Sequence, residues 1–201
     1  MFSTTFRKGR WVVVLLGALT AVMALSTSAS AKKSLFFEQT TEAFWAVPHA
    51  CSDGSTVEAT LLVQSTRDFE SPDTEDADPT ARVQYLAVCP DGTSFSWGAP
   101  ATPATITTAK DFRSVTATGT GIARDNLGGT HQVSFDVKWT GVRPLKTTVN
   151  GPGSKRKQRK ATATGQVIFD DQVLVNGEAN HPTRPDPFIR IDTEKTQIPR
   201  G

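Results

Sequence analysis

Val133-Ser134-Phe135-Asp136-Val137-Lys138-Trp139-Thr140 alternates apolar and polar side chains without a break. Successive side chains of an extended chain point to opposite faces. Val133, Phe135, Val137 and Trp139 therefore predict a buried face, and Ser134, Asp136, Lys138 and Thr140 a solvated one. The same period of two recurs on both sides of this run. Upstream it is carried by Val57, Ala59, Leu61 and Val63, and by Val83, Tyr85, Ala87 and Cys89. Downstream it is carried by Ala161, Ala163, Gly165, Val167 and Phe169, with Ile189 and Ile191 marking a closing strand. No window of helical length in this part of the chain follows a 3.6-residue period.

The breaks between these runs have turn chemistry. Pro90-Asp91-Gly92 separates the strand ending at Cys89 from one through Phe95 and Trp97. Pro presets φ and Gly accepts φ > 0, so the triplet predicts a hairpin turn. Leu127-Gly128-Gly129 does the same between residues 114–124 and 132–140, and Asn176-Gly177 is a further turn signal. Pro100-Ala101-Thr102-Pro103 is expected to be a connection. Asp170-Asp171 is expected to be a turn, because adjacent strand residues face opposite ways and would not make a carboxylate pair. About eight to ten short antiparallel strands result, in an all-β fold: a β-sandwich first, a closed β-barrel as the alternative. Phe135 and Trp139 belong to its core, whereas Trp97, followed by Gly98-Ala99-Pro100, is expected nearer the surface.

Arg113-Ser-Val-Thr-Ala-Thr-Gly119 resembles Arg159-Lys-Ala-Thr-Ala-Thr-Gly165. Similar strand composition explains the likeness, and a duplicated hairpin is the other explanation. In the first copy Ala117, Gly119 and Gly121 leave one face nearly bare, which lets a large side chain or another strand approach closely.

The first 31 residues differ from the rest. Arg7, Lys8 and Arg10 precede an apolar stretch, Trp11 to Leu25, of about fifteen residues, and Ala29-Ser30-Ala31 follows. Charge, apolar core and a small-residue site at Ala29 and Ala31 are the order of a cleavable signal-peptide helix, so residues 1–31 are expected to be removed. The stretch is short for a membrane span, which needs roughly 20 residues, and no second apolar stretch follows. Three of the 22 basic residues leave with the leader, so the chain from Lys32 holds nineteen against twenty acids and is nearly neutral. Overall charge then carries no argument for nucleic acid. Cys51 and Cys89 are the only cysteines, and an even count in an exported chain predicts a disulfide. Closing a loop of about 39 residues stabilises a fold by roughly 4 kcal/mol in the chain-entropy account. Residues 32–201 are expected to form a single β domain in the extracellular medium or at the cell surface, with a flexible tail from about residue 196.

Two segments depart from the alternation. Residues 68–80 hold Asp68, Glu70, Asp73, Glu75, Asp76 and Asp78 with Pro72 and Pro79, and residues 146–160 are basic with no acid. Both are expected to be loops by composition. Asp73, Glu75, Asp76 and Asp78 offer oxygens of the kind calcium takes, but without the central Gly and terminal Glu of an EF-hand the expectation is a solvated loop. Lys155, Arg156, Lys157, Arg159 and Lys160 put five cations in six residues behind Gly151-Pro152-Gly153-Ser154. They are the candidate anion-binding residues, with affinity from counterion release. No recognition motif or interleaved aromatic points to a specific nucleic acid.

Phe135-Asp136-Val137-Lys138-Trp139-Thr140-Gly141-Val142-Arg143-Pro144-Leu145, followed by a basic stretch and Ala161-Thr162-Ala163-Thr164-Gly165, resembles a pattern in small exported bacterial proteins. That group has no assigned activity, so the resemblance implies compartment and a β-fold and brings no functional residues.

No catalytic constellation is legible. Gly92-Thr93-Ser94-Phe95-Ser96 lacks the last Gly of a nucleophile elbow. His49, His131 and His181 are scattered, without zinc spacing, and no cofactor is implied. The expected function is non-catalytic, a binding or structural β domain, with an anionic surface polymer as the partner of the basic run. A carrier of a small apolar ligand in a barrel pocket and a secreted hydrolase are the alternatives.

Overall fold

In the computed structural model, residues 33–70 and 77–197 are described. The signal-peptide stretch with Ala29 and Ala31, the calcium candidates Asp73, Glu75 and Asp76, and the tail beyond Gln197 lie outside them. Strands β1 (Lys33–Ala50), β2 (Thr56–Glu70), β3 (Ala77–Val88) and β4 (Ser94–Thr108) follow one another. After a 3-10 turn at Lys110–Phe112 come β5 (Ser114–Asp125) and β6 (Thr130–Gly141). The remainder is β7 (Lys146–Gly151), β8 (Ser154–Phe169), β9 (Gln172–Glu178) and β10 (Phe188–Gln197).

Antiparallel neighbours run β10-β1-β2-β3-β4-β5-β6-β8-β7 in one sheet of ten strands, and β10 also pairs with β8. The sheet therefore returns on itself through a ring of eight strands, with β7 and β9 added at β8. The all-β, antiparallel class expected from the sequence is the observed one. Ser34–Thr196 makes one compact unit; of the termini that make the other, only Lys33 and Gln197 are among the described residues.

Alternation buries one face of every ring strand. Ala43, Trp45 and Val47 of β1, Leu61 and Val63 of β2, Val83 and Tyr85 of β3, and Val137 and Trp139 of β6 all enter one core. Large rings fill it: Trp45, Tyr85, Trp97, Phe135 and Trp139 are each at most 6% exposed. Burying side chains of this size removes enough apolar surface from water to stabilise a fold by about 1.5–3 kcal/mol each. The Trp139 indole N–H donates to the Glu42 carbonyl at 2.9 Å, and that of Trp45 to the Gly177 carbonyl at 3.3 Å. Their polar edges are thus satisfied, as burial requires.

The two alike segments flank β6. Ala117 and Gly119 of β5 face Val137 and Phe135, while Ala163 and Gly165 of β8 face Trp139 and Val137. Bare positions make the room expected of them, and Phe135 takes the space over Gly119. A Cβ there would lie 2.7 Å from the Phe135 ring.

Cys51 and Cys89 form a disulfide, Cα–Cα 5.9 Å, between two turns of the same design. Asp53 Oδ1 accepts from the Ser55 N–H (2.9 Å) and hydroxyl (2.6 Å) in one; Asp91 Oδ1 accepts from the Thr93 N–H (2.9 Å) and hydroxyl (2.7 Å) in the other. Those bonds hold both carboxyls below their usual range.

Several expectations are corrected. Residues 146–160 are not a loop but the β7–β8 hairpin, turning at Pro152-Gly153 with φ +85° at Gly153. Strand pairing on both flanks of β8 satisfies a backbone whose charged side chains conceal its period. In the acidic segment, β2 extends to Glu70 and β3 resumes at Ala77, so Asp78 lies in a strand. Pro100–Pro103 lies within β4, where the register with β5 breaks between Gly98 and Ala104. Proline has no N–H to give a ladder, and an irregular register accommodates it. Asn176-Gly177 lies inside β9, whereas the turn expected at Asp170-Asp171 is present and joins β8 to β9, with φ of 46° and 65°. Trp97 is buried rather than exposed, stacked between Tyr85 (centroids 5.5 Å apart) and Phe169 (4.6 Å).

Candidate anion-binding surface

Each β8 residue from 155 to 160 pairs with β10: Lys160 with Phe188, Arg159 with Ile189, Gln158 with Arg190, Lys157 with Ile191, Arg156 with Asp192, Lys155 with Thr193. On its other flank β7 pairs Lys146 with Gln158 and Thr148 with Arg156. Residues directly opposite one another share a face. Arg156, Gln158 and Lys160 therefore share one face of β8 with Lys146 and Thr148 of β7. The crossing from β6 to β7 brings Arg143 and Pro144 over this face. It is pinned where the Val142 N–H donates to the Lys160 carbonyl at 3.0 Å.

The product is a hollow of about 460 Å³; a separate one of about 550 Å³ lies elsewhere, beside Gly119 and Phe135. Arg143, Pro144, Lys146, Thr148, Arg156, Gln158, Arg159 and Lys160 line the former. Five of these eight carry positive charge and none is a carboxylate. Of the five cations expected as a site, Arg156, Arg159 and Lys160 are brought together here, whereas Lys155 and Lys157 are not part of the lining. Arg143 and Lys146 join them instead. The hairpin that unites these residues is the signal that a loop reading of 146–160 hides.

The cations are not equivalent. Arg156 Nε donates to Asp192 Oδ1 at 2.7 Å, which raises the already high guanidinium pKa, and Arg190 Nε lies 3.0 Å from Asp192 Oδ2. Lys160 Nζ lies 2.5 Å from Asp186 Oδ2. Arg159 Nη2 donates to the Asp111 carbonyl at 3.2 Å. Gly141 makes way for it, since a Cβ there would run into Arg159 Cδ and lie 3.0 Å from Nη1. Arg143 and Lys146 are exposed and, among the described residues, form no ion pair. Charge is thus matched along the β10 side and in surplus along the β7 side.

The histidines lie apart, on β1, on β6 and in the segment after β9. His49 Nδ1 is 3.0 Å from the Tyr85 hydroxyl, a phenol whose pKa burial pushes up. His181 Nε2 is 2.9 Å from Thr60 Oγ1 and 3.9 Å from Glu58 Oε1. The Thr183 N–H donates to His181 Nδ1 at 3.4 Å.

His131 sits in a clasp that the sequence did not disclose. Its Nε2 is 2.9 Å from Asp125 Oδ2 and its Nδ1 2.7 Å from Asp170 Oδ2. Asp125 Oδ1 also accepts from the N–H groups of Leu127 (2.9 Å) and Gly129 (2.6 Å), and Asp170 Oδ1 from that of Gln132 (2.8 Å). Bonds first to Asp125 and then to Asp170 raise the imidazole pKa, and both carboxyls are held below their usual range by the same bonds. The ring stacks on Phe169, centroids 4.5 Å apart. With both nitrogens engaged by carboxylates, the clasp joins the β5–β6 and β8–β9 turns.

No protein family model, no curated protein and no solved structure matches this chain.

Proposed function

We propose that the protein is exported and binds an anionic polymer at or outside the cell surface through the β7–β8 hairpin. The observation that carries this reading is the hollow of five cations without a lining carboxylate, in which Arg143 and Lys146 have no ion-pair partner among the described residues. A nearly neutral chain holds such a surplus only by local sorting of charge, and the disulfide between Cys51 and Cys89 fits an oxidising compartment. Affinity of this kind comes from release of counterions and weakens with salt. The test is retention of the purified protein on a polyanion column across a salt gradient. A variant carrying Arg143→Gln, Lys146→Gln, Arg156→Gln and Lys160→Gln runs beside it. Late elution that the variant loses supports the reading, and equal early elution of both removes it.

A further inference from the structure

We infer that the hollow on the β7–β8 face takes a phosphodiester-linked polyol or sugar-phosphate unit of such a polymer, an inference that rests on the anion-binding reading above. Three properties of the lining select this chemistry. Its volume of about 460 Å³ falls within the range of small-molecule sites, about 300–1,000 Å³, which is more room than a bare oxyanion needs. Its polar, uncharged members are Thr148 and Gln158, with Pro144 beside them. A hydroxyl and an amide both donate and accept, which suits a hydroxylated carbon skeleton. Its cations are spaced apart: Arg156 and Lys160 share a face of β8 four residues from one another, roughly 13 Å at the rise of a strand, with Gln158 between.

A polymer in which phosphates alternate with a polyol presents the same order of groups: anion, hydroxyls, anion. One phosphate meets Arg143 at the Lys160 end, the hydroxyls of the spacer meet Gln158 with Lys146 opposite it, and the next phosphate meets Arg156 with Thr148 opposite it. Guanidinium forks of arginine suit phosphate oxygens, and lysine adds a point charge. Nucleic acid is the less suited polyanion, because single strands bind by stacking bases on aromatic rings and no aromatic ring lines the hollow.

The test titrates the purified protein with a short oligo(glycerol phosphate), followed calorimetrically. A deoxythymidine oligonucleotide of equal charge and phosphatidylglycerol vesicles serve as parallel arms. Saturable one-to-one binding of the soluble oligomer is expected, tighter than that of the oligonucleotide. It should weaken on the order of tenfold or more in Arg143→Gln with Lys146→Gln, as loss of charge-assisted bonds implies. Lys155→Gln with Lys157→Gln, outside the hollow, should leave it within about twofold, like surface charges remote from a contact. Vesicle binding that the soluble oligomer competes away supports the same chemistry on a lipid source. Equal or tighter binding of the oligonucleotide, equal loss in the two double variants, or binding to vesicles with none to the soluble oligomer overturns the inference. Retention on the polyanion column persists if only this inference fails, and disappears if the anion-binding reading fails with it.

Discussion

At Gly165 a single hydrogen in place of a side chain sets how closely β8 approaches β6. A Cβ at this position would collide with the Asp136 carbonyl and lie 2.8 Å from Val137 Cα, both parts of a backbone held in its own ladder. Gly165→Ala is therefore expected to destabilise the fold by about 1–3 kcal/mol, the usual cost of overpacking. Gly151→Ala, whose Cβ would meet nothing within 4 Å, is the matched control, and urea unfolding measures both. Comparable midpoints for the two variants would refute the close approach. His131 predicts a pH profile. Its pKa is raised by Asp125 and Asp170, so its contribution is fully present below the unfolded value of about 6.5 and is lost as pH rises through the folded one. The two carboxyls are lowered, so theirs is present above about pH 3.8–3.9 and lost as pH falls through their folded values. The stability gap between the wild type and His131→Gln should be widest between about pH 4 and 6.5 and close on either side. A gap that is flat from pH 4 to 9 would mean that the clasp contributes no charge-dependent stability.

Among the elements, strands with an apolar face were legible and those without one were not. Val133 to Thr140 announces β6 because every second side chain goes into the core. Lys155 to Lys160 alternates as strictly in space, yet lysine and arginine on both faces present no period to read, and Gly151-Pro152-Gly153 adds the composition of a loop. Closure of the ring was illegible for a different reason, since β10 meets β8 and β1 through pairings that no local pattern encodes. His131 and Asp170 are 39 residues apart and meet only because β6 and β8 pair in a particular register. The second Cys-x-Asp-Gly turn was read correctly, but its twin at Cys51 to Ser55 needed the structure to show that one disulfide joins two copies. These points give the β7–β8 hairpin a test of its own. Gly153 has φ +85°, a conformation that a β-branched residue adopts only with strain. Gly153→Val should loosen the hairpin tip and bring elution from a polyanion column to lower salt. The near-ultraviolet circular dichroism of Trp45, Trp97 and Trp139 should stay unchanged, because these rings lie in the core. Unchanged elution would show that the hairpin is not the binding element.

For the molecule as a whole, the two ionic features are separated along one strand. Lys160 and Asp170 are ten positions apart on β8 and its following turn, roughly 33 Å at the rise of an extended chain. That is several Debye lengths at physiological ionic strength, where screening acts over about 8 Å. Protonation of His131 at one end is therefore not felt by an anion at the other. Arginine and lysine side chains keep their charge to about pH 10, and phosphodiesters are charged throughout this range. The stability of the protein should accordingly change with pH while its retention on a phosphodiester column stays constant from about pH 5 to 9. Against salt the dependence should be steep. The logarithm of the binding constant should fall with the logarithm of salt concentration at about −0.7 for each cation that meets a flexible chain. Replacing Arg143 and Lys146 should therefore flatten the slope by about 1.4. Elution at several pH values and salt steps separates the two dependences. A retention that drops between pH 6 and 8 would place a histidine in the binding surface and refute the division between the ends of β8. A slope unmoved by the double variant would take Arg143 and Lys146 out of the contact.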